Sequence, residues 1–329
     1  MDSKTDADSV SRTLSGWQLK LVAVTALAWS IFQLWYASPL PFILGFGVLI
    51  DVPARALHLG FALFLVFLIY PASRKTKEKR FGFFSFVLAS LGFLCTFYLF
   101  LDYEGLVDRN GILQKHEIEI GNSKFSIPTE LLIGLVGISL LLEATRRSIG
   151  LPLVIVATIF YLYSFFGQSM PDLISHQGLS LKRLVGYHWF GGEAIFGIPI
   201  SVSVSFVFLF VLFGSMLDFA GAGRYFLNLA LALVGRYRGG PAKASIMASG
   251  LTGMVSGSSI ANVVTTGTFT IPVMKKTGFS SVKAGAIEVA ASVNGQIMPP
   301  IMGAAAFVMA ELLGISYFTV ITHAFLPAI

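Results

Sequence analysis

Residues 244–274 read ASIMASGLTGMVSGSSIANVVTTGTFTIPVM, 31 residues without a charge. Arg236, Arg238 and Lys243 precede the run, and Lys275 and Lys276 follow it. One membrane-spanning helix takes about 20 apolar residues, so the run is too long for one span and too short for two. Lys and Arg beside membrane segments stay preferentially on the cytoplasmic side. Both ends of the run therefore belong on one face, and the chain must enter, turn and leave. The turn is written at Ser256-Gly257-Ser258-Ser259. Gly257 can take the left-handed conformation that ends an incoming helix, and Ser258 or Ser259 can cap the returning one. Arms of about 15 residues reach about 22 Å, which leaves the tip inside a hydrocarbon core of about 30 Å. Irregular backbone at that depth is tolerated only where it is buried in protein or lines a watery cavity. The pattern predicts a re-entrant helical hairpin over 242–275.

Composition agrees with a membrane setting. Hydrophobic residues make up 55% of the 329 and charged ones 12%, against about 25% charged in soluble domains, and the mean hydropathy is +0.78. The net charge of +6 falls in short loops between apolar segments. Positive-inside topology accounts for it, and no nucleic-acid partner is expected. The single cysteine, Cys95, excludes a disulfide framework. The fold class expected is an all-α polytopic protein whose partner is the lipid bilayer.

In chain order, residues 1–16 read as a disordered cytoplasmic tail. Spans are expected over 17–36, 54–70, 81–101, 128–147, 151–166 and 195–218. The densest basic cluster, Arg74, Lys75, Lys77, Lys79 and Arg80, sets the second loop inside and with it a cytoplasmic N-terminus. The acid-rich segment 102–126 lies outside, and its alternating His116-Glu117-Ile118-Glu119-Ile120 suits a short exposed hairpin. Glu143 is spaced for an i,i+4 pair with Arg147. Residues 181–189 look amphipathic, as an interfacial helix would, and 225–233 form a second such helix. His176 and His188 are loop histidines, read as solvated rather than metal-binding.

Beyond the hairpin, 284–313 carries its own fracture at Asn294-Gly295-Gln296-Ile297-Met298-Pro299-Pro300. Proline lacks an amide donor and clashes with the preceding turn, and Asn-Gly favours a turn, so two half-helices are expected. Half-helix C-termini at Ser256, Gly257 and the Asn294 break offer carbonyl oxygens, while the returning arm offers free amides. Such opposed ends make a cation site beside an anion site, as in secondary transporters. On the returning arm Ser259, Asn262, Thr266 and Thr270 form one polar stripe. Their oxygens suit sodium and their hydrogens suit a carboxylate, although small polar residues also serve close helix packing.

The segments SGSSIANVVTTGTFTIPVMKKTGF (256–279) and ASVNGQIMPPIMG (291–303) resemble the large membrane subunit of tripartite ATP-independent periplasmic (TRAP) transporters, especially fused permeases of the TAXI type. The resemblance implies sodium held by Ser256, Gly257, Ser258, Asn294 and Gly295. It implies a small organic anion, of the carboxylate or dicarboxylate class, bordered by Ser259, Asn262, Gln296, Pro299 and Pro300, to which the polar stripe adds Thr266. It also implies an elevator-type, ion-coupled permease of the bacterial inner membrane, with substrate delivered by a periplasmic binding protein. Residues 17–147 then correspond to the small subunit as a four-helix scaffold, and 148–329 to the first part of the transport domain. The family carries two inverted repeats and this sequence supplies one, so the chain reads as truncated at 329. A carrier or antiporter without a binding protein, and a non-transporting scaffold subunit, are the alternatives. No metal-ligand cluster or nucleophile–base pair stands at usable spacing, so neither enzyme activity nor a cofactor beyond the coupling ion is expected. Glu288 and Glu311 are acids within apolar segments. Their position near the expected interfaces favours a structural role, and Glu288 is the candidate for proton coupling.

Overall fold

The computed structural model describes residues 11–73, 80–109, 112–120, 123–257, 259–299 and 302–328. The helices are α1 Trp17–Ala37, α2 Leu40–Leu44, α3 Asp51–Ile69, α4 Phe83–Asp108, α5 Thr129–Ser148, α6 Leu151–Phe166, α7 Leu181–Val185, α8 Ile198–Val202, α9 Phe208–Phe219, α10 Ala222–Val234, α11 Gly240–Ser256, α12 Ser259–Lys276, α13 Ser281–Gly295, α14 Ala304–Leu313 and α15 Tyr317–Ala328. One antiparallel strand pair, β1 His116–Ile120 with β2 Ser123–Ile127, interrupts this helical series. It falls where the alternating segment predicts a hairpin. Among the described residues five helices are long and apolar enough to cross a bilayer, over Trp17–Ala37, Asp51–Ile69, Phe83–Asp108, Leu151–Ser169 and Ile198–Leu217. The last is widened by a π-type turn over Ser203–Val207.

The chain forms two compact units, Met1–Ser201 and Val202–Ile329. In the first unit the core is built on α3 and α4, with Leu63, Phe67, Leu68 and Leu99 almost wholly buried. α1 and α6 leave most of their apolar surface uncovered within the described residues, as helices facing lipid do. Most of the basic cluster, 74–79, lies outside the described residues, as does 1–10 of the expected tail. Arg12 differs from a disordered tail: its Nη1 donates to the carbonyls of Phe67 (2.9 Å) and Leu68 (3.0 Å), and its Nη2 to Ser85 Oγ. A guanidinium satisfies orphan carbonyls at a helix C-terminus, which gives this part of the tail a fixed place.

At the start of α5, Glu130 is fully buried and accepts from Arg109 (2.6 Å) and from Tyr98 Oη (3.0 Å), and Arg109 also pairs with Asp102. At its end Glu143 pairs with Arg147 as expected and with Arg146 as well. The amphipathic segment 181–190 folds onto α5, with Leu184, Val185, Trp189 and Phe190 buried. Its apolar face is covered by protein because Gly134 makes room for Val185 and Gly137 lets the Trp189 ring lie against the α5 backbone. A Cβ at Gly137 would stand 2.3 Å from the Trp189 ring. Gly137→Ala should therefore lower the stability of the purified protein by about 1–3 kcal/mol through overpacking. Combined with Trp189→Phe, the loss in thermal unfolding should be smaller than the sum of the two single losses.

Candidate functional site

Within the second unit, α11, α12 and α13 pack as a three-helix cluster. The incoming arm α11 ends as expected, with Gly257 left-handed (φ 61°) and its amide donating to the Gly253 carbonyl. Ser259 opens the returning arm α12, and Ser258 lies outside the described residues. α13 starts at an Ser280 N-cap, whose Oγ accepts from the Lys283 amide. It ends at Gly295 and unwinds through three successive i→i+3 bonds, from the amides of Gln296, Ile297 and Met298. The chain then closes on itself, because the Gly303 amide donates to the Gln296 carbonyl (2.6 Å) before α14 begins. The fracture at Asn294–Pro299 is thus a compact loop between two half-helices; Pro300 lies outside the described residues. Met302 holds a left-handed φ of 63°, a conformation costly for a non-glycine residue.

The tip and the break meet. Gln296 Nε2 donates to Ser259 Oγ (2.9 Å). A Cβ at Gly257 would lie 3.4 Å from the Met302 carbonyl and 3.7 Å from Gly303 Cα, so the two irregular segments are in backbone contact. A turn deeper, α11 crosses α13 with no side chain between them: a Cβ at Gly253 would stand 2.8 Å from Gly295 Cα. The Gly295 carbonyl accepts one amide in the unwinding turn, from Met298, which leaves it a second lone pair for a hard cation; the Asn294 carbonyl accepts from both Ile297 and Gln296. The Asn294 side chain does not join the tip; its Nδ2 donates to the Ala328 carbonyl of α15 (2.9 Å).

Asn262 and Thr266 go elsewhere. They enter a buried polar cluster that the sequence reading only partly anticipated. Asn262 Nδ2 donates to Ser249 O (2.8 Å), Ser249 Oγ (3.0 Å) and Ser292 Oγ (3.2 Å). Glu288 is fully buried, with Ser249 Oγ 3.0 Å and Ser292 Oγ 3.3 Å from Oε1, Thr266 Oγ1 also on Oε1, and Thr270 Oγ1 on Oε2. The stripe of Asn262, Thr266 and Thr270 on α12 is thus buried, facing Ser249 of α11 and Glu288 and Ser292 of α13. Ser249 and Ser292 were missed. The i,i+4 spacing of Glu288 and Ser292 on one helix was the available signal. Glu288 lies at the centre of the cluster.

The first unit holds an apolar cleft of about 400 Å³ lined by Ile159, Phe160, Leu162, Tyr163, Phe166, Met170 and Ile174. It presents no charged group to orient an anion. His176 is engaged there, with Nε2 3.0 Å from the Tyr163 carbonyl and Nδ1 accepting from the Gly178 amide.

The family profile described as "Tripartite ATP-independent periplasmic transporter, DctM component" covers residues 136–329. The chain belongs to this family. Similar proteins include YgiK of Salmonella typhimurium, 32% identical over 153 residues, which is 46% of this chain and 32% of that protein. The C4-dicarboxylate TRAP transporter large permease DctM of Rhodobacter capsulatus is 34% identical over 91 residues, 28% of this chain and 21% of that protein. Its namesake from Vibrio cholerae is 35% identical over 91 residues, 28% of this chain and 20% of that protein. The chain matches a third or less of the length of these relatives. No solved structure matches it. As a TRAP large-permease relative with several apolar helices, it is a multi-pass membrane protein of a transport family.

Close packing of the DctM-family hairpin on its broken helix is open to direct measurement. Gly253→Ala forces α11 away from α13 and should cost about 1–3 kcal/mol of stability. Gly285→Ala, on α13 with open space at its Cβ, should be neutral or stabilise by up to about 1 kcal/mol. Thermal unfolding of the two detergent-solubilised variants compares them directly.

Proposed function

We propose that the chain belongs to a fused TAXI-type TRAP permease that takes up a small organic anion across the inner membrane, driven by a sodium gradient. The observation that carries this reading is the contact of the hairpin tip with the helix break, joined by Gln296 and Ser259. The C-terminal ends of α11 and α13 gather backbone carbonyls in one region, which favours a cation, while the first turn of α12 favours an anion. On this proposal sodium is held by Ser256, Gly257, Ser258, Asn294 and Gly295. The anion is bordered by Ser259, Gln296, Pro299 and Pro300, with Asn262 and Thr266 behind them. The names of the R. capsulatus and V. cholerae relatives support the carboxylate class. A periplasmic binding protein delivers the substrate, in keeping with the tripartite family description. The basic residues at 74–80 support a cytoplasmic N-terminus. The helices of 17–147 act as the scaffold of an elevator.

The complete permease, reconstituted in liposomes with its binding protein and a labelled C4-dicarboxylate, should accumulate label only under an inward sodium gradient. Replacing sodium by potassium should abolish uptake. Gln296→Ala should lower the initial rate about three- to tenfold, the worth of one neutral hydrogen bond. Uptake indifferent to sodium would remove the ion from the tip and the break.

A further inference from the structure

We propose that Glu288 is a proton-binding site of the permease, built between α11, α12 and α13 and separate from the hairpin tip. The inference rests on reading the chain as part of an ion-coupled permease, but its own basis is the buried cluster. Glu288 is fully buried, and among the described residues no cationic side chain pairs with it. The charged groups on the three packed helices are Lys243, Lys275, Lys276 and Lys283, all exposed at helix ends. An unpaired carboxylate inside an apolar helix cluster is expensive, and ionisable groups within transporter helices mark ion pathways.

The geometry serves both protonation states. With Glu288 ionised, the hydroxyls of Ser249, Ser292, Thr266 and Thr270 all turn their hydrogens to its two oxygens. With Glu288 neutral, its new O–H donates to one of these hydroxyl oxygens. The displaced hydrogens then have other acceptors: Thr266 Oγ1 is 2.6 Å from the Asn262 carbonyl, Thr270 Oγ1 is 2.9 Å from the Thr266 carbonyl, and Ser249 Oγ is 3.0 Å from Ser292 Oγ. Loading a proton from water forms one O–H bond on the carboxylate and turns hydroxyl rotors, which move freely; unloading reverses it. No helix has to shift. A metal ion, by contrast, would have to displace donors that already touch the carboxylate.

A second observation points to traffic into this cluster. Asn262 is fully buried, yet its Oδ1 has no hydrogen-bond partner among the described residues. The amide is not reversed, because its Nδ2 faces the Ser249 carbonyl, which only accepts. Oδ1 is therefore an acceptor without a donor, one helical turn from Ser259 at the tip, and a water bringing a proton from that side supplies the missing donor.

Infrared difference spectra of the complete permease in lipid vesicles, recorded between acidic and alkaline buffer, test this without any substrate. Failure of the transport reading is thereby seen separately from failure of this one. The expected result is a protonated-carboxyl band that titrates with buffer pH and is missing in Glu288→Gln. Thr266→Val with Thr270→Val removes two hydrogen-bond donors from the carboxyl group, so the frequency of that band should shift. Identical difference spectra for wild type and Glu288→Gln would overturn the proposal. If Glu288→Gln does not fold, carboxyl bands of unchanged frequency in the threonine double variant would overturn it equally.

Discussion

The second unit depends on the approach of two glycines. Gly253 and Gly295 bring α11 and α13 into backbone contact, and everything distinctive nearby follows from that closeness. With the helices so near, short side chains are enough to bridge them: serine on α11, serine and glutamate on α13, threonine and asparagine on α12. Longer residues at these positions would have to leave the cluster. The same approach sets the tip of the hairpin beside the unwound end of α13, so that Gln296 reaches Ser259 and the closed loop before α14 rests on Gly257. Small residues at a helix crossing usually give no more than proximity. Here proximity carries the polar groups with it.

The first unit solves a different problem. Its long apolar helices have ends that must be satisfied away from the core, and it uses charged side chains as fasteners. Arg12 covers the end of α3, Arg109 and Tyr98 hold Glu130 at the start of α5, and Glu143 gathers two arginines at its finish. Each of these groups finds partners within the fold. Their work is structural, and it leaves the faces of α1 and α6 free for lipid.

Much of this was legible before any coordinates. The hairpin followed from a length that fits no whole number of spans and from basic flanks on one side. The break followed from Asn-Gly ahead of Pro-Pro, and the left-handed cap from Gly257 itself. The stripe on α12 was visible because Asn262, Thr266 and Thr270 share one helical face. What the chain could not show was which neighbours that face would meet. Ser249 and Ser292 are small polar residues among many others, and only the glycine crossing makes them partners of Glu288. Trp189 likewise looked like part of an interfacial helix, since nothing local reveals that Gly134 and Gly137 open a seat for it on α5. Arg12 read as tail because a guanidinium capping a helix that starts some forty residues later leaves no local pattern.

The two threonines on α12 also have a mechanical side. A hydroxyl bonded to the carbonyl one turn back bends its helix slightly, whereas a hydroxyl turned outward leaves the helix straight. Thr266 and Thr270 stand one turn apart on the same face, each within reach of both partners. The returning arm of the hairpin thus carries two hydroxyls that can turn between their own helix and Glu288, followed by Pro272, whose missing amide is a second source of bending in the same arm.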